Sequence, residues 1–324
     1  MFWKDLRRET PPAEWEGLEL TVDGLPAPSW RIQAARGGFL RLVSGGTPLL
    51  WARMHPFWDG VWWLRSGVRD TSPLAPIDAL ELSRVGEEPR SEAWLAAWAR
   101  HFAGALERSP RSPLHAGTWR LERPRDDSEA RAECFTVDRL QHLLEPTWAG
   151  YRHWHPTYGS QGVLPLRQLE PGSARVKAWR KSVRDGRLPP VLLLFVSSLD
   201  MFVVLDGHDR LTAALLEDTQ APVLVLWHVH AVRSPSRPDV QEGIERGFLR
   251  LAQGTGRSPP DARTLDSLNE RAIDAWDDRP HTRPRSRGWP LPGGRGAWEH
   301  EVKKRLLALG REVDPAIHRA LLDP

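Results

Sequence analysis

The run Asp206-Gly207-His208-Asp209-Arg210 gathers two carboxylates, an imidazole and a guanidinium around one glycine. An apolar run, MFVVL, precedes it, and an alanine- and leucine-rich run, LTAALLE, follows at once. That order reads as strand, tight turn, helix. A helix start presents free backbone N–H groups and the positive end of the helix dipole, which together make an anion site, most often for phosphate. Arg210 falls in the first helical turn, where the dipole disfavours a cation unless an anion lies beside it. Gly207 permits close approach of a ligand or a positive φ. Arg210 offers a planar fork suited to phosphate or carboxylate, and Thr212 offers a hydroxyl. Asp206 or Asp209 would cap the helix or hold a metal accompanying a phosphate, and His208 and Asp209 are the candidate acid/base groups.

The segment before the turn adds charge. Between 167 and 187 there are seven basic residues (Arg167, Arg175, Lys177, Arg180, Lys181, Arg184, Arg187) against Glu170 and Asp185. Arg180 and Arg184 are expected to add long-range attraction for an anion. The competing reading is plainer: strand, Asp-Gly and helix form an ordinary connection, Asp209 is only a cap, and the basic helix is a solvated face.

The elements that would hold this turn are legible from pattern. SARVKAWRKSVRDG predicts a helix with Val176, Trp179 and Val183 on one face and Gly186 at its C-terminal end. VLLLFVS (191–197), MFVVLD (201–206) and PVLVLWHVH (222–230) predict three apolar strands, and GVLPLRQL predicts a short one. Upstream, LELTV, WRIQAA, FLRLVSG, LLWARM and VWWLRSG are short β-like runs separated by Gly37-Gly38 and Gly45-Gly46. They predict a meander or small barrel-like sheet. Helices are expected over SEAWLAAWARHFAGALE, capped by Ser91, and over 137–145, with a strand at 118–122. Beyond 232, helices are expected at about 239–253, 264–277, 297–309 and 314–322, around a basic Pro/Gly-rich segment at 278–296. The expected organisation is α+β: a β-rich module at 1–150, a central domain at 151–232 and a helical extension at 233–324.

Residues 161–230 resemble the ParB/sulfiredoxin-like domain. The resemblance rests on VKAWRKSVRDGRLPPVLLL, a helix ending in glycine followed by proline and a strand. It rests also on MFVVLDGHDRLTAALLE, a strand, glycine-containing turn, arginine and helix, and on the closing strand APVLVLWHV. In that family the glycine and the arginine three residues on lie against nucleotide phosphates, which maps onto Gly207 and Arg210. The resemblance implies a nucleoside di- or triphosphate ligand with Mg²⁺. Sulfiredoxins carry their catalytic cysteine where this chain has His208, and Cys134 lies outside the domain, which argues against sulfinic-acid repair. Partition ParB proteins carry Glu-Arg-Arg after the glycine and continue into a DNA-binding helix-turn-helix, a pattern not seen in 232–324. The Asp-Gly-His-(His/Asp)-Arg form is closer to ParB-like nucleases and free-serine kinases.

Composition bounds the rest. A chain of 324 residues with 27% charged residues and net charge +3 is not a uniformly basic nucleic-acid coat. Five of its 45 basic residues are lysines (4, 177, 181, 303, 304) and the others are arginines, a bias that a GC-rich coding sequence accounts for. One cysteine rules out an internal disulfide and a cysteine-based zinc cage. With no secretory h-region and no run of ~18 apolar residues, a cytoplasmic protein without a membrane partner is expected. His153-Trp154-His155 and His228-Val229-His230 place imidazole pairs on strand faces, where packing roles are as natural as metal ligation; no metal ligand is assigned. His281 and Arg279, Arg283, Arg285, Arg287 and Arg295 are candidate nucleic-acid contacts or a surface linker.

Three functions follow from these readings. The first is nucleotide or phosphate binding with phosphoryl or phosphodiester transfer at the 206–210 turn. The second is an adaptor or immunity-type protein-interaction role on a degenerate scaffold. The third is nucleic-acid binding or cleavage.

Overall fold

Glycine pairs in the left-handed region set the first sheet. Strands β3 (Trp30–Ala35) and β4 (Phe39–Ser44) turn through Gly37 and Gly38 at φ +86° and +78°. Strand β5 (Thr47–Met54) follows through Gly45 and Gly46 at φ +57° and +85°, with Ser44 opposite Thr47. Two positive-φ residues between directly paired strands form the hairpin turn whose twist matches that of the sheet. Strand β6 (Gly60–Arg65) completes the expected meander. Its edges are β8 (Ala149–His153), paired with β6, and β14 (Gly288–Pro290), parallel to β3.

The computed structural model describes the chain except at residues 9–10, 25–27, 56–58, 79–80, 83–84, 87, 127–129, 155–161, 233–237, 253–267, 270, 273–280 and 323–324. Within it the second sheet runs β1 (Phe2–Arg7), β2 (Trp15–Val22), β7 (Gly117–Glu122), β12 (Val223–Val232), β10 (Val191–Val196), β11 (Met201–Asp206) and β9 (Gly162–Leu164). β10 is antiparallel to β11 and parallel to β12, and β9 is parallel to β11. Every residue of β10 and β11 is buried, which explains their unbroken apolar runs: strands covered on both faces need no alternation.

Helix α1 (Glu92–Arg108) is capped by the Ser91 side chain, which accepts from the Trp94 N–H, as its sequence predicts. It packs on β2 and β7 through Trp94, Trp98, Phe102 and Leu106. The expected 137–145 helix splits into α2 (Val137–Leu140) and a 3₁₀ turn, Gln141–Leu144. Helix α3 (Ala174–Arg184) begins at the Ser173 cap and buries Val176, Trp179 and Val183, the expected face. Helix α4 (His208–Leu216) packs against α3 and β10.

The sheets do not follow the expected boundaries at 150 and 232. LELTV leaves the meander: β2 pairs with β7, and β7 with β12, so two strands of the expected N-terminal module share one sheet with the strands of the expected central domain. One core joins Leu18, Leu20 and Trp119 of this sheet to Leu40, Leu42, Val61 and Trp63 of the other. The alternate residues Phe39, Trp51 and Leu64 face a second core, with Trp298, Val302 and Leu306 of α6 (Gly294–Leu309) and Leu321 of α7 (Pro315–Leu322). Period-two alternation thus lets one sheet serve two cores. Trp51 and Trp298 anchor α6 through their indole N–H groups, on Glu301 at 2.7 Å and on the Leu40 carbonyl at 2.7 Å. Residues 1–229 and 284–324 form one compact unit, and 230–283 a second. The second contains α5 (Pro238–Ala252), with Ile244 buried, and most of β13 (His281–Pro284). The helix expected at 264–277 falls mostly outside the described residues.

Candidate functional site

The β11–α4 turn is built as its composition demands. Gly207 stands at φ +99°, and a Cβ there would lie 2.8 Å from the Arg210 guanidinium, so backbone and space both require glycine. Gly207 is the N-cap of α4, and among the described residues no side chain caps the helix; neither Asp206 nor Asp209 takes the capping role open to it. The first N–H groups of an α-helix have no carbonyl partner within it, so an uncapped start leaves them for a ligand.

Each side chain of the turn is committed to a particular partner. Arg210 is 2% exposed and donates through Nη2 to Asp206 Oδ2 at 2.7 Å and to the Pro190 carbonyl at 3.0 Å. Its guanidinium carbon lies 5.9 Å from the Trp179 ring. The cation in the first turn is therefore balanced by Asp206, four residues before it, and it ties the end of β11 to the entry of β10. Asp206 Oδ1 accepts from the Ser72 hydroxyl at 2.9 Å. Ser72 is 134 residues away in sequence and brings the segment 69–76 over the turn.

His208 is buried, and its Nε2 accepts the Leu166 N–H at 3.1 Å, which puts the ring proton on Nδ1. Burial first, and then the arginines Arg167, Arg65 and Arg210, hold its pKa well below 6.5. An imidazole whose lone pair is used by a backbone donor holds the 165–167 segment in place and is not free as a general base. Asp209 Oδ1 accepts from Arg167 Nη2 at 2.7 Å, and Arg175 Nε lies 3.6 Å from its other oxygen. The Thr212 hydroxyl donates to the His208 carbonyl at 2.8 Å, so it closes its own helix and faces no ligand. Arg180 and Arg184 meet Glu217 past the opposite end of α4, at 2.5 and 3.4 Å, and do not line the site.

The turn opens into a pocket of about 190 Å³. Arg167 and Arg175 stand on one side, and Arg69, Thr71 and Ser72 come from the 69–76 segment, with Trp179, Leu74 and Pro76 as apolar wall. Arg175 is 45% exposed and Arg69 85%, so both reach solvent from the rim. Two buried polar atoms of the lining residues have no partner among the described residues, Arg210 Nε and Thr71 Oγ1. Buried polar groups are nearly always satisfied, which sets these two atoms apart from the paired groups of the turn.

The cations of the pocket are thus Arg69, Arg167 and Arg175, rather than Arg180 and Arg184. Arg167 and Arg175 belong to the basic run visible in the sequence, and their spacing from a helix start was the signal available. Nothing in the sequence marks Arg69, Thr71 or Ser72. Asp206 and Asp209 are both engaged by arginines, and among the described residues no group of three His, Cys, Asp or Glu side chains is placed to hold a metal ion. His228 does not line the pocket and packs against His115, ring centroids 4.6 Å apart and tilted by 47°, while His155 lies outside the described residues. The basic tail is dispersed: Arg287 stacks on Trp289 and Arg295 pairs with Glu299 at 2.6 Å, and Arg279 lies outside the described residues. Among the described residues no helix is long and apolar enough to cross a membrane. No protein-family model, curated protein or solved structure matches the chain.

Proposed function

We propose that residues 161–230 form a ParB/sulfiredoxin-like unit that binds a phosphate-bearing small molecule, of the nucleotide class, at the start of α4. The observation that carries this is the coincidence, in one pocket, of an uncapped helix start with three arginines from two separate segments. The phosphate lies against the N–H groups of residues 208–210, with Arg167, Arg175 and Arg69 around it, and Trp179 offers a flat apolar face to a ring. The order strand, helix, strand, strand, helix, strand and the Gly207-x-x-Arg210 spacing support the same reading. Arg210 contributes by holding Asp206 and the turn in place. With both carboxylates of the turn paired to arginines, Mg²⁺ enters only on the ligand's own phosphates, and the activity proposed is binding.

Calorimetry with ATP, ADP, CTP and GTP tests the proposal on the full chain, comparing wild type with Arg175→Ala. Arg175 is on the rim, so its removal leaves the fold intact. Loss of one charge-assisted contact, about 1.5–3 kcal/mol, weakens binding by roughly 10- to 150-fold. Absence of binding by all four nucleotides, or equal binding by the variant, overturns the reading.

A further inference from the structure

A second cavity, of about 260 Å³, lies where β6, β8, β9 and the 134–147 segment meet, apart from the pocket at α4. Its innermost charge is Arg65, the last residue of β6. Arg65 is 4% exposed, yet among the described residues no carboxylate lies within ion-pair distance of it. Its Nη1 donates to the Thr147 carbonyl, its guanidinium lies 4.9 Å from the Trp63 ring, and its Nε is buried without a partner among the described residues. Burial lowers its pKa to about 10, with no nearby carboxylate opposing the shift. Among the described residues, every other buried arginine of comparable enclosure has an acid, a side-chain amide or two carbonyls: Arg210 has Asp206, Arg41 has Glu301 and Gln33, and Arg53 has the Ala320 and Leu321 carbonyls.

An unpaired cation is expensive to bury, and a fold keeps one where something outside the chain neutralises it. The rest of the lining indicates what that is. Arg139 and Arg152 are further cations of the lining, where Glu145 is the one carboxylate, while Asp200 acts on Arg152 from outside it; the Cys134 thiol, its pKa raised by burial, stays uncharged. Trp63, Val163, Leu164 and Met201 line the cavity with apolar surface. A small inorganic anion would leave that wall in contact with water, whereas an acid with an apolar body covers both.

We propose that this cavity binds a small organic carboxylate, its acid group on Arg65 and its apolar body against Trp63 and Met201. Arg65 forms the two-pronged contact a carboxylate accepts from guanidinium.

The test is thermal unfolding of the full chain at pH 7 with benzoate, with benzyl alcohol as its uncharged counterpart, and with inorganic phosphate. The expected result is a Tm that rises with the logarithm of benzoate concentration and does not respond to the alcohol. Arg65→Met abolishes the response. Arg65→Lys retains the charge but not the fork, folds where the Met variant fails, and requires at least several-fold more benzoate for the same shift. Equal responses to benzoate and benzyl alcohol overturn the proposal. So does an undiminished response in Arg65→Lys, or a response to phosphate alone. Arg175→Ala, which weakens the nucleotide pocket, leaves the benzoate response unchanged, so failure of one site is distinguishable from failure of the other.

Discussion

Removing the Asp206 carboxylate probes the construction of the turn most directly. Asp206 and Arg210 form an ion pair at 2.7 Å with side-chain exposures of 11% and 3%. Asp206→Ala leaves the guanidinium buried with only the Pro190 carbonyl as partner, and such an uncompensated charge costs about 3–5 kcal/mol. It also removes the acceptor that the Ser72 hydroxyl has on the turn, leaving it the Leu74 carbonyl within its own segment, and so releases the 69–76 segment from the turn. Arg210→Met combined with Asp206→Ala removes both charges and leaves a longer apolar chain against Trp179. The double variant is therefore expected to lose less than the sum of the single losses, with a coupling of at least about 2 kcal/mol. Urea unfolding followed by tryptophan fluorescence reads both numbers from midpoints at constant slope. A loss below about 1 kcal/mol for Asp206→Ala, or additive losses in the double variant, would refute the account of Arg210 as a buried strut.

Two further outcomes are expected. Gly207→Ala forces a side chain into a left-handed backbone and against Arg210, and is expected to cost about 1–3 kcal/mol by the same urea assay; an unchanged midpoint contradicts the turn geometry. Stability is expected to fall as pH drops below about 6.5. His208, His101 and His115 are all held below 6.5, chiefly by burial, so the unfolded chain binds protons there that the folded chain does not. The slope approaches about 1.4 kcal/mol per pH unit for each histidine kept neutral. Replacing His208 by Gln, which retains an acceptor, reduces that slope, and a slope unaffected by the substitution would show that His208 is already protonated in the fold.

Much of the local structure followed from residue type and spacing. The glycine-separated β-like runs of the meander, the Ser91 cap and the unbroken runs at 191–196 and 201–206 each announce their element, because punctuation and capping are properties of neighbouring residues. The turn at Gly207 was legible for the same reason. What could not be read was the partner of each strand. β2 looks like part of the hairpin array that follows it, and only the pairing with β7 and β12 places it in the other sheet. Arg65 reads in sequence as one of forty-odd basic residues, and only the folded chain shows that it is buried without an acid.

The chemistry of the site divides along the same line. The sequence alone determined that residues 206–210 form a glycine-gated turn into a helix and that an arginine in the first turn needs a negative charge nearby. Tertiary structure decided which charge that is. Asp206 is one helical turn away and answers Arg210 directly, while His208 is spent on the Leu166 N–H and Thr212 on its own helix. The cations that line the pocket, Arg69, Arg167 and Arg175, come together only when the 69–76 segment folds over the turn through Ser72. Short-range pattern specifies a conformation, but a binding surface is set by which distant groups are buried against one another, and that depends on contacts across more than a hundred residues.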